Sequence, residues 1–69
     1  MRYDVFVVPN DGSLEVKIGE FQYISDAIVH INRMKAVYVE QKRYDKACVR
    51  DSTFGDGVVV YEQLWRNGL

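Results

Sequence analysis

Cysteine, histidine, proline and tryptophan each occur once in this 69-residue chain. One cysteine, Cys48, cannot form an internal disulfide, so the staple that holds most small secreted domains is missing. That absence predicts a reducing compartment, the cytoplasm. One Cys with one His, His30, cannot close a tetrahedral zinc site. No apolar run reaches the roughly 18 to 20 residues that a membrane helix needs. The opening residues Met1-Arg2-Tyr3-Asp4 lead directly into an alternating pattern and lack the apolar stretch of a signal peptide. Charge of one sign is missing too: ten acidic residues face nine basic ones. A balance so even argues against a general polyanion binder.

What is present is apolar and globular. Hydrophobic residues make up 48% and charged residues 28% of the chain, which excludes a disordered segment. The length predicts a single domain over residues 1–69. A domain this small hides only about 60% of the surface its unfolded chain exposes, so its stability margin is thin. Without disulfide or metal, the remaining routes to stability are close packing and self-association.

Four strand-like runs surround one long helical pattern. Arg2 to Val8 is apolar on both faces, Tyr3/Val5/Val7 against Phe6/Val8, which predicts a central strand. Pro9-Asn10-Asp11-Gly12-Ser13 is a turn, and Leu14 to Glu20 alternates as a half-wet strand. Ser25 is the expected N-cap of a helix over residues 25–42, with Asp26 favoured by the dipole at that end. Ile24, Ala27, Ile28, Ile31, Met34 and Tyr38 form its apolar stripe. A rival reading ends the helix near Met34 and makes Ala36 to Val39 a strand. Lys46 to Asp51 alternates again, Ser52 to Gly57 turns, and Val58 to Gln63 is apolar on both faces through Tyr61. The expected fold is α+β: ββαββ, a four-stranded sheet with one helix packed on one face. The two most apolar runs belong in the middle and the Lys17 and Lys46 strands at the edges, giving the order 2-1-4-3.

Chemistry-bearing constellations are scarce. Asp26 lies one turn before His30, but no nucleophile accompanies them, so His30 reads as a solvated histidine. Cys48 sits between Lys46 and Arg50 on a strand and not at a helix N-terminus, so it reads as a packed or interfacial thiol. The loops Asn10-Asp11-Gly12 and Asp51 to Gly57 have too few oxygen ligands for calcium and no phosphate-cradle spacing. The expectation is therefore no enzyme, no cofactor and no small-molecule ligand.

One helix covers only one face of a sheet. The other face is expected to expose Phe6, Val8, Cys48 and one parity set of the last strand, Val59/Tyr61 or Val58/Val60. With charged residues around it, that patch resembles a protein interface. Phe6, Val8, Cys48, Val59 and Tyr61 are the candidate contacts of a protein-interaction module, either a homodimer or a partner-binding protein. Trp65 and Leu69 folding over the same face is the competing expectation. Single-stranded nucleic acid is the second reading, with Phe6 and Tyr61 stacking on bases and Lys17, Lys46 and Arg50 meeting phosphates. Lys35, Lys42, Arg43, Lys46 and Arg50 do make the middle of the chain basic. A small inhibitor or adaptor of a mobile element is a third reading, resting on size alone.

Overall fold

The computed structural model describes residues 1–55 and 57–65. Its elements run β1 (Tyr3–Pro9), β2 (Val16–Phe21), α1 (Ile24–Gln41), β3 (Tyr44–Asp51) and β4 (Val58–Leu64). The fold is the expected ββαββ α+β domain, with four antiparallel strands in one sheet and one helix. No helix among the described residues is long and apolar enough to cross a membrane.

The strand order is β2-β1-β3-β4 and not 2-1-4-3. Chain direction explains the difference. β2 ends with Phe21 opposite Tyr3. Eighteen helical residues rise roughly 27 Å, about one strand length, and return the chain to the opposite end of the sheet. There Tyr44 enters opposite Pro9. β3 therefore runs antiparallel to β1 and pairs with it directly, whereas β4 beside β1 would have been a parallel and weaker ladder. Burial agrees: Ala47, Cys48 and Val49 of β3 are all buried, while Val58, Val59 and Val60 of β4 are exposed. Lys46 and Arg50 made β3 look like an edge. Their long side chains instead run out from a central strand to carboxylates at Glu62 and Glu15.

The helix does not end at Met34; it is one continuous element to Gln41. Ser25 is not its cap. Tyr23 holds the N-cap position in extended conformation without a side-chain cap bond, and its carbonyl accepts the amides of Asp26 and Ala27. With the cap two residues earlier than expected, Ile24 becomes the first helical residue and packs against the core. Ala27 and Ile31 are the fully buried part of the stripe, with Ile24, Tyr38 and Val39 packed at its borders. Opposite them stand Val5 and Val7 of β1 and Ala47 and Val49 of β3. Lys42 closes the helix in left-handed conformation, φ 57°, its amide donating to the Val39 carbonyl.

His30 is not solvated. It is half-buried, its Nε2 lies 3.0 Å from the Ile18 carbonyl oxygen, and its ring meets Phe21 at 5.1 Å. As a donor, that ring nitrogen ties the helix to β2. Gly19 makes the approach possible. A Cβ there would stand 2.7 Å from Phe21 Cε2 and 3.2 Å from His30 Cδ2.

Candidate protein interface on the open face and the β4 edge

Cross-strand pairing assigns each side chain to a face. Three rows cross the side away from the helix: Val8–Lys46–Leu64, Phe6–Cys48–Glu62 and Asp4–Arg50–Val59. β2 adds Lys17 beside Phe6 and Glu20 beside Asp4. Phe6, Val8, Cys48 and Val59 thus stand on the open face. Tyr61 does not: it pairs with Val49 and packs against the core on the helix side. The reason is a bulge. Val49 faces Tyr61 and Arg50 faces Val59, so Val60 is an extra residue and the alternation of β4 shifts at that point.

Charged side chains lie over the centre of the open face as well as around it. The Arg50 guanidinium sits 4.8 Å from the centroid of the Phe6 ring, a cation–π contact. Both of its terminal nitrogens donate to the Glu15 carboxylate, which reaches in from the β1–β2 loop. Lys46 Nζ donates to Glu62 Oε2 at 2.9 Å, flanking the row that holds Cys48. Cys48 is only 2% exposed, and burial first of all pushes its thiol up, away from the reactive thiolate. Toward β2, Asp4 is buried between Arg2 at 3.2 Å and Lys17 at 3.3 Å, with Glu20 2.7 Å from Lys17. The sealed centre of this face is therefore closed by the chain's own ion pairs.

Those pairs also engage the three expected nucleic-acid contacts. Lys17, Lys46 and Arg50 each already hold a carboxylate of the same chain. The Lys17 and Lys46 ammonium groups are held above their ordinary range, first by hydrogen bonds to Glu20 and Glu62 respectively. Trp65 does not roof the open face either. It is buried on the helix side, stacked on Tyr38 at 6.0 Å, and its Nε1–H donates to Gln63 Oε1. Leu69, the other expected cover, lies outside the described residues.

Exposed apolar surface forms its longest run along β4 and the turn before it, while Leu14 and Val16 stand exposed at the β2 end of the sheet. Val58 is 69% and Leu64 68% exposed, Val59 and Val60 are exposed as well, and Phe54 in the turn is 94% exposed. The Trp65 amide donates to the Asp45 carbonyl. By antiparallel alternation Gln63 and Tyr61 direct their main-chain groups at β3, and Glu62 and Leu64 direct theirs outward, where no strand follows among the described residues. The only charged side chain on β4 is Glu62, already held by Lys46. The opposite edge differs: β2 carries Lys17 and Glu20 in an ion-pair network. The helix backbone approaches β1, β2 and β3 but not β4, which it meets through the hydrogen bond from Gln63 Nε2 to Asn32 Oδ1. The sequence reading did not single out Phe54 or Leu64, although a valine triplet directly after a polar turn was a signal for a strand apolar on both faces.

Among the described residues no group of three or more His, Cys, Asp or Glu side chains is placed to hold a metal ion. Compared with protein-family models, curated proteins and solved structures, the chain matches none of them.

Proposed function

We propose that this chain is a non-enzymatic protein-interaction module that docks an extended polypeptide segment along β4. The observation that carries this reading is the contrast between the two sheet edges. β2 is guarded by charge, whereas β4 presents outward main-chain groups between exposed Val59, Val60 and Leu64. An edge of that kind pairs readily with another strand. Main-chain hydrogen bonds then supply affinity, and removal of apolar side chains from water adds roughly 25 cal/mol per Å². Val59 remains a contact in this reading, joined by Val58, Val60, Leu64 and Phe54. Phe6, Val8 and Cys48, expected as contacts, lie inward of that edge under the ion pairs and take no part in this reading.

The positive features of the site favour binding over catalysis. His30 is engaged by the Ile18 carbonyl, and Cys48 is sealed with its thiol pushed up. Nucleic-acid binding draws less support, because Lys17, Lys46 and Arg50 face carboxylates of their own chain. In the same reading the protein works in a reducing compartment, where Cys48 stays a free thiol.

Position-resolved photo-cross-linking in the producing cells tests the proposal. A cross-linking residue at Val59 or Leu64 is expected to give adducts with a polypeptide, while the same residue at Val16 on β2 or Val37 on the helix gives none. Adducts from Val16 and Val37 with none from Val59 and Leu64 would overturn it.

A further inference from the structure

We infer that the segment docked on β4 is β4 of a second copy, so that two chains join across a two-fold axis into one eight-stranded antiparallel sheet. This rests on the reading of β4 as the docking edge. Three features select the chain itself as occupant.

The first is charge. A foreign peptide of either sign finds nothing to complement on β4, where Glu62 is the one ionised group and Lys46 neutralises it. An equally neutral, valine-rich strand meets no repulsion there, and β4 is such a strand.

The second is clearance. A two-fold axis normal to the sheet reverses strand direction and places both helices on the same side. Each helix stands back over β1, β2 and β3, so two β4 edges can meet before the helices collide.

The third is area. A stable interface hides roughly 800 Å² per partner, which is about a sixth of this chain's 4764 Å² surface. Strand pairing supplies the main-chain part, and Phe54, Val58, Val60 and Leu64 supply apolar side chains on both sides of the edge. The thin stability margin of so small a domain gives the association a structural purpose.

The test uses the purified full chain. Sedimentation from micromolar to millimolar concentration is combined with amide hydrogen exchange at Glu62 and Leu64. Two single substitutions preserve the monomer, because each adds a charge opposite its counter-charge. Val58→Lys faces Asp51, and Leu64→Glu faces Lys46. The expected result is a concentration-dependent dimer in which the Glu62 and Leu64 amides slow as it forms. Either substitution should weaken it by roughly tenfold or more, since edge charge opposes strand pairing. A strict monomer with fast amides, alongside cross-links from Leu64 to a different polypeptide, overturns self-pairing and leaves the β4 edge as the docking site. A dimer untouched by both substitutions, with fast Glu62 and Leu64 amides, overturns self-pairing and the β4 reading together.

Discussion

Among the described residues Asp4 is the one buried charged side chain. Burial works to raise its carboxyl, yet hydrogen bonds from Arg2, Ser52 and Lys17, together with the Lys17 charge, prevail and hold it below the ordinary carboxylate range. A carboxyl whose folded pKa is depressed stabilises the fold fully above its unfolded value of about 3.9 and loses that contribution as pH falls through the folded value. Asp4→Asn is therefore expected to lower stability at neutral pH by about 1–3 kcal/mol. The gap to the parent should close under acid. Urea denaturation of both proteins across the acidic range checks this; a gap that persists once Asp4 is protonated would show that its charge is not the source. Cys48 belongs to the same scale. It sits two residues from both cations that close the open face; these favour its thiolate, but burial outweighs them and keeps the thiol packed and unreactive.

At the scale of the element, the helix end at Lys42 stores an avoidable cost. A lysine in the left-handed region crowds its Cβ against the following carbonyl, whereas glycine occupies that region freely. The two hydrogen bonds of Lys42 at this turn are main-chain ones: its amide donates to Val39 and its carbonyl accepts from Asn10 Nδ2. Lys42→Gly is thus expected to stabilise the protein by up to about 1 kcal/mol, the roughly 1–2 kcal/mol of left-handed strain less the extra chain entropy that glycine loses, read as a raised urea midpoint with unchanged slope. No gain would mean that the lysine stem packs in a way its backbone geometry does not reveal. The same position explains why the helix limit was hard to read from sequence, since neither glycine nor proline marks it.

For the whole molecule, Trp65 is the closing piece of the core. It packs beneath Tyr38, which also meets Tyr44 edge-on at 5.2 Å, and so ties the segment after β4 to the helix and to β3. Truncating a buried aromatic of this size costs about 3–5 kcal/mol, and a small domain has a total stability of only about 5–15 kcal/mol. Trp65→Ala is expected to remove about 3–5 kcal/mol, a large share of that total, read as a much lower urea midpoint by far-ultraviolet circular dichroism. Trp65→Phe keeps the ring stack but loses the Nε1–H bond to Gln63, at a cost of about 1 kcal/mol. Equal, small losses in both variants would show that Trp65 is peripheral. Self-pairing through β4 belongs to this scale too, because it makes the sheet continuous and removes both exposed β4 edges.

Residue patterns alone carry the elements and their order along the chain. Alternation at period two marks four strands, the three-and-four spacing from Ile24 to Tyr38 marks the helix, and the turn formers separate them. Side-chain alternation also put Phe6, Val8 and Cys48 on the face away from the helix, because β1 and the inner part of β3 keep their register. The strand order, the side on which Tyr61 stands and the direction taken by Trp65 depend on how the elements assemble in three dimensions. The first follows from the helix carrying the chain across the sheet, the second from one extra residue at Val60, and the third from a ring stack with Tyr38 far away in sequence. Local patterns record which way a side chain points along its own strand. Which strand lies beside it, and which charge from a distant loop folds over it as Glu15 does over Phe6 through Arg50, is set by contacts that no local period encodes.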